Sequence, residues 1–175
     1  MQSRAKKGEP RINLFMLNRV DKSIIYATQE ALLSLGVGLM ISLEPIHVPF
    51  TFMKWNSLNY DHRKILEHVK RVKSLIGLQG PLIGVGDLAV DVTNEEATEV
   101  FDEGVGLLFT RNINVNDKHK FLRSIGHITG HALGLKDCQN RCIMNHDPNK
   151  IAEEFCHKCS LLIESIQSKG YSSNG

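Results

Sequence analysis

The chain has 175 residues, 42% of them hydrophobic and 23% charged, with 21 Lys and Arg against 19 Asp and Glu. That is the composition of one ordinary globular domain, long enough to bury about two-thirds of its unfolded surface without disulfide support. A formal net charge of +2 gives no general field for nucleic acid or anionic lipid. No apolar run approaches the roughly 18 residues of a membrane span, because Gly36, Gly38, Gly84 and Gly86 break the greasy stretches.

The basic start, MQSRAKKGEP, leads into a short apolar segment with no small-residue cleavage site after it, so a cytoplasmic protein with reduced thiols is expected. Ile12 to Leu17 reads as a buried strand. Ser23 is placed to cap a helix whose apolar residues Ile24, Ala27, Ala31 and Leu35 recur at three and four residues, with Gly36 as its left-handed stop. Leu39, Ile41 and Leu43 alternate as a half-buried strand ended by Pro45, and the segment to about Asn59 reads as loop. From Asp61 to Ile76 the positions Ile65, Val69, Val72 and Ile76 form one apolar helical face closed by Gly77. Its other face carries Arg63, Lys64, Lys70, Arg71 and Lys73, a pattern that usually marks a solvated surface, so no nucleic-acid partner is expected.

Leu82 to Val85 reads as a second buried strand, the stretch around Glu95, Glu96 and Glu99 as an acidic loop, and Gly104 to Thr110 as a further strand. A helix from about Asp117 to Leu133 follows, with Phe121, Ile125, Ile128 and Ala132 as its apolar stripe and Gly134 as its end. Gly126 and Gly130 inside it each cost about 1 kcal/mol against alanine, which close packing would explain. After a loop, a short helix is expected from Ile151 to about Gln167, then a frayed Ser/Gly tail. No repeat and no linker divides the chain.

The chemistry-bearing residues crowd toward the C-terminus. His127 and His131 stand four apart on one helix face, where two imidazoles can converge on one ion. That spacing also suits two solvated or core histidines. Gly134 permits a sharp left-handed turn that would swing Asp137 back toward the pair as a third ligand, and His146 offers a substitute ligand if its loop brings it near. Cys138 and Cys142, with the CxxC of Cys156 and Cys159, read as a tetrahedral four-thiolate zinc site of structural type, every position being filled. Buried free thiols, or disulfides, are the alternatives for these four.

The run HITGHALGLKD resembles the metzincin zinc signature HExxHxxGxxH with two departures. The residues that follow narrow the resemblance to archaemetzincins: Cys138, Cys142, Met144 in the place of the Met-turn methionine, then Cys156 and Cys159. Here eleven residues separate Met144 from Cys156, a shorter interval than that family's pattern. The resemblance implies an α+β, zincin-like single domain over 1–175, with a mixed twisted sheet and flanking helices. Residues 1–134 would form an upper subdomain with the HxxxH helix, and 135–175 a lower one with the Met-turn and four-cysteine zinc. It also implies an active-site-type zinc on His127, His131 and Asp137 beside the structural zinc on the four cysteines. The strand from Gly104 to Thr110 takes the place of the edge strand that would pair with an extended peptide.

The first departure is chemical. In an active metzincin the Glu after the first histidine takes the proton of the zinc-bound water, and here that position is Ile128, which accepts no proton. Loss of general-base assistance costs a factor of about 10² to 10⁴, so no catalytic residue is assigned and peptide hydrolysis is expected to be weak or lost. The second departure, Asp137 for histidine, keeps a competent zinc ligand. Two readings follow: an archaemetzincin-like zinc peptidase with impaired hydrolysis, or a non-catalytic descendant, a pseudoenzyme, whose cleft binds a peptide or protein partner.

Overall fold

The computed structural model describes residues 11–42, 44–91, 99–102, 104–113, 116–147 and 149–170. The basic N-terminal segment, Leu43, Glu95, Glu96 and the last five residues of the tail lie outside them.

A five-stranded sheet is built from β1 (Arg11–Met16), β2 (Gly38–Ile41), β5 (Leu82–Gly86), β6 (Glu99–Asp102) and β7 (Val105–Phe109), in the order β2-β1-β5-β7-β6. The first four strands in that order run parallel, and β6 is antiparallel to β7. Side chains alternate across a strand, and here the alternation splits the core cleanly in two. Ile12, Leu14, Ile83, Val85 and Leu108 face one hydrophobic cluster, whereas Leu17, Leu82, Val105, Leu107 and Phe109 face the other. The first cluster is covered by α1 (Lys22–Ser34) and α3 (Lys118–Ala132), the second by α2 (His62–Leu75). Each fully buried Leu or Ile contributes about 1.5–3 kcal/mol, so both faces must be covered for the sheet to persist.

Between β2 and α2, a 3₁₀ turn (Phe50–Phe52) and a small antiparallel hairpin of β3 (Met53–Lys54) and β4 (Asn59–Tyr60) occupy the segment expected to be loop. The chain closes with α4 (His157–Gly170), which begins six residues later than the apolar pattern suggested, directly after Cys156. No helix among the described residues is long and apolar enough to cross a membrane.

The helix caps show why these segments stop and start where they do. Asp21, not Ser23, is the N-cap of α1: its carboxylate accepts from the Ser23 backbone N–H at 2.7 Å, and the Ser23 hydroxyl also donates to it. Asp61 caps α2 through the Arg63 and Lys64 amides, and Asp117 caps α3 through Lys120. In α2, Ile65 and Val69 are buried as expected, but Ile76 lies past the last helical turn and is exposed.

The largest correction concerns the sheet edge. The strand expected to be the edge, β7, is paired on both sides, and the edge is β6, in a stretch read as acidic loop. Any main-chain pairing with an extended peptide on this side would therefore fall to β6. Its position is fixed from behind: Lys70 of α2 donates to Asp102 at 2.7 Å, and Lys73 donates to the Gly104 carbonyl at 3.3 Å in the β6–β7 turn.

Close approach explains the glycines of α3. A Cβ on Gly126 would lie 2.2 Å from Ile143 Cδ1, and one on Gly130 would lie 2.1 Å from Met144 Sδ. The segment after α3 thus folds back under the helix against two glycine gaps. On the sheet side, a Cβ on Gly106 would meet Ile128 Cγ1 at 2.7 Å, so α3 lies directly on β7 with Ile128 filling the space above Gly106.

Candidate metal centres

The last turn of α3 carries the first centre. His127 and His131 project from one face, and Gly134, at φ 89°, reverses the chain after the helix. The Gly134 amide donates to the His131 carbonyl, and Leu135 N–H donates to Gly130 O at 2.9 Å. This turn returns Asp137 to the histidines, as its spacing from Gly134 suggested. Asp137 Oδ1 lies 3.4 Å from His131 Nε2 and 3.9 Å from His127 Nε2, and the two Nε2 atoms are 2.9 Å apart. For nitrogen and oxygen ligands at about 2.0–2.2 Å, two corners of a tetrahedron stand about 3.3–3.6 Å apart, and the three distances bracket that edge.

The hydrogen bonds of the two imidazoles settle where their lone pairs point. His127 Nδ1 lies 3.1 Å from the Ile143 carbonyl and His131 Nδ1 lies 3.0 Å from the Leu135 carbonyl. A carbonyl only accepts, so each Nδ1 carries hydrogen and, in the neutral ring, each Nε2 presents a lone pair. Two lone pairs then face each other at 2.9 Å, an arrangement that a cation between them relieves. A shared proton is the other remedy, but burial disfavours it. Burial, followed by the neighbouring His131 and His146, pushes His127 down to about 4, and burial also lowers His131. Neutral imidazoles oriented by backbone carbonyls are the form that binds zinc.

Other side chains complete the surroundings. Met144 is fully buried beneath α3, its sulfur against Gly130, and its carbonyl accepts from the Cys138 amide at 2.9 Å. Phe101 of the edge strand stacks on His131 with ring centroids 3.7 Å apart and planes 9° apart. Nothing in the sequence pointed to Phe101, because its strand was hidden in an acidic stretch. His146 is brought to the centre: its Nε2 lies 3.0 Å from Asp137 Oδ1, and its ring is 4.7 Å from that of His127. Ile128 has no exposure and points into the core rather than toward the imidazoles' ligand face.

All four cysteines form the second centre, their sulfurs within 4.8 Å of one another. Cys138 and Cys156 are 3.7 Å apart, as are Cys142 and Cys159. Four sulfurs about 2.3 Å from a central zinc would stand about 3.8 Å apart, so these two pairs are at tetrahedral spacing. None is in a disulfide. The Cys142 sulfur accepts from the Cys156 amide at 3.2 Å. Burial raises Cys142 and Cys159. At Cys156 burial also acts upward, but hydrogen bonds from the Cys159 amide and the Asn140 side chain outweigh it and hold that thiol at about 6. Such amide–sulfur bonds favour the thiolate, the form that ligates metal.

A third group, Asp61, His62 and Asp91, is accounted for by structure alone. Asp61 caps α2, while Asp91 accepts from the His62 amide and side chain and pairs with Lys54. A cleft of about 680 Å³ lined by Leu122, Arg123, Arg141 and Glu154 shares no residue with either metal centre.

The architecture and the two clusters define a class: a mixed-sheet domain with a two-histidine helix and a four-cysteine C-terminal segment. No protein-family model matches the chain. It is 25% identical over 169 residues to an archaemetzincin of Sulfolobus acidocaldarius, covering 86% of this chain and 94% of that one. With an archaemetzincin of Aeropyrum pernix it shares 28% over 141 residues, covering 74% and 75%. Its fold matches the crystal structure of archaemetzincin from Methanopyrus kandleri with a TM-score of 0.68 at 14% identity, over 94% of this chain and 99% of that one. A zinc-dependent peptidase from Methanocorpusculum labreanum gives a TM-score of 0.67 at 17% identity, over 87% and 99%. The chain is a relative of the archaemetzincins, in sequence over most of its length and in fold.

Proposed function

We propose that this chain is a zinc-binding protein on the archaemetzincin fold in which peptide hydrolysis is weak or lost. The reading rests on one observation above all. Ile128, at the position of the metzincin general base, is a fully buried core side chain wedged against Gly106. A zinc on His127, His131 and Asp137 would supply Lewis acidity toward a bound water or carbonyl. This chain's own residues then hold and orient the ion: the Ile143 and Leu135 carbonyls fix the two imidazoles, and Met144 and Phe101 wall the site. Asp137 is the carboxylate that reaches both imidazoles, and as a ligand it is not free to take a proton.

The four cysteines would hold a second, structural zinc, and reduced thiols fit a protein of the cytoplasm. A non-catalytic role in binding a peptide or protein beside β6, the end strand of the sheet among the described residues, is the second reading. Metal analysis tests the two-centre reading. The parent is expected to carry up to two zinc ions per chain, His127→Ala to lose one and Cys142→Ser the other. Variants that both keep the parent's full zinc content would contradict the assignment.

A further inference from the structure

We propose that Phe101 is a positioning residue of the histidine–aspartate centre: its ring stacks on His131 and favours that imidazole in its metal-bound state. The inference rests on the reading of His127, His131 and Asp137 as a metal site with a position left open, and adds to it a residue that is not a ligand. Phe101 and His131 lie with ring centroids 3.7 Å apart and planes 9° apart. Neutral aromatic pairs prefer an offset or edge-to-face arrangement with centroids about 4.5–7 Å apart, because the negative faces of two electron-rich rings repel. At 3.7 Å these two rings are nearly face to face. A cation at His131 Nε2 draws electron density out of the imidazole, and an electron-poor ring is attracted to the negative face of a phenyl group. The stack therefore suits a metal-bound His131 better than a free one.

The register of the edge strand explains how the ring arrives there. Phe101 pairs with Gly106 of β7, and a Cβ on Gly106 would meet Ile128 Cγ1, so this face of the strand pair looks onto α3 one turn before His131. Glycine leaves no cross-strand side chain directly opposite Phe101, and the ring packs on His131 instead. Asp102 turns to the other side of the sheet, where Lys70 of α2 donates to it at 2.7 Å and pins β6 from behind. Phe101 is still 46% exposed, so burial in the core does not account for its placement. His131 is thus held twice, at its edge by the Leu135 carbonyl and on its face by Phe101. His127 has its carbonyl too, but its neighbouring rings are tilted by 59° and 49° rather than stacked.

The rate at which the second ion leaves tests this without any substrate. The protein is stripped, given one equivalent of zinc, which the thiolates take in preference, and then one equivalent of Co²⁺ for the second centre. The visible spectrum of the Co²⁺ is followed after a chelator is added. Phe101→Leu is expected to lose Co²⁺ about three- to tenfold faster than the parent, and Phe101→Tyr to match the parent. Phe101→pentafluorophenylalanine keeps a flat ring but reverses its quadrupole, so it is expected to lose Co²⁺ as fast as the leucine variant. A ring that only fills space would let the fluorinated protein retain the ion as the parent does, and that result overturns the inference. Equal rates in all four proteins also overturn it and leave the two-centre reading intact. A parent that takes up the thiolate-bound ion alone overturns both. The fluorinated side chain is close to phenylalanine in shape, so it serves as the deciding variant if the leucine protein does not fold.

Discussion

Cys142→Ser is expected to cost about 5 kcal/mol or more of stability, lowering the melting temperature by roughly 10–20 °C. Cys142 has no exposure, its sulfur accepts the Cys156 amide, and it stands 3.7 Å from Cys159. Its backbone amide also donates to the Lys150 carbonyl, so it joins the loop after Met144 to the segment that leads into α4. A serine hydroxyl neither ionises at neutral pH nor binds zinc as thiolate does, and the buried Cys138 and Cys159 and the half-buried Cys156 would be left around an incomplete site. The core reaches this region too, through Ile143, Met144 and Ile163. Losing the zinc should therefore loosen α4 and the floor of the histidine centre together. Thermal melts of parent and variant, each with its zinc content measured, decide the matter. A variant that keeps the parent's zinc and melts within two or so degrees of it would show that the four-sulfur cluster does not hold the fold.

A carboxylate placed in the core beside the other centre, Ile128→Glu, is expected to destabilise the metal-free protein by on the order of 4 kcal/mol. Ile128 is shared between the core and the close approach of α3 to β7, with its Cγ1 2.7 Å from where a Cβ on Gly106 would sit. A carboxylate there loses its water, and the neighbouring Ile83 and Gly106 offer it no donor side chain. The melting temperature should fall by about 8–16 °C, and the fall should shrink at low pH, where the buried carboxyl takes up a proton. The sign follows from burial raising the folded-state pKa: the penalty is present above that pKa and is relieved below the unfolded value. An unchanged melt would mean that position 128 is not a core position.

Much of this was legible in the chain because it is written in local periods. The helices α1, α2 and α3 announce themselves by apolar recurrence, although the cap of α1 is Asp21 where Ser23 was expected, and β5 announces itself by an unbroken apolar run. The histidine pair and the cysteine groups show by spacing alone which side chains can meet. Gly134 correctly signalled that Asp137 returns to the histidines, because a left-handed turn at that distance from a helix end leaves few other paths. The gaps at Gly126 and Gly130 were signalled too, as residues whose helical cost needed close packing to justify them.

The rest depends on contacts distant in sequence. β6 was hidden because Glu99 and Asp102 look like loop, and what makes Glu99–Asp102 a strand is its pairing with β7 across a turn. Missing it put the edge of the sheet one strand too far in and concealed Phe101. The start of α4 was missed for a similar reason. The residues from Ile151 to Phe155 are held by other parts of the chain: Ile151 bridges to Cys142, and the Glu154 carbonyl accepts the Ile143 amide. Local apolar spacing cannot report such bonds. The place of His146 likewise follows from how Met144 and Asn145 seat the turn beneath α3, which no spacing between histidines encodes.

The central claim, that this fold retains its metal centres without retaining useful peptide hydrolysis, meets its most direct test in one assay. Zinc-loaded parent protein is incubated with a mixed peptide library beside His127→Ala, with and without a chelator, and new termini are counted by mass spectrometry. No chelator-sensitive cleavage above the level of the His127→Ala protein is predicted. Sustained cleavage by the parent that the chelator stops and His127→Ala lacks would contradict the account.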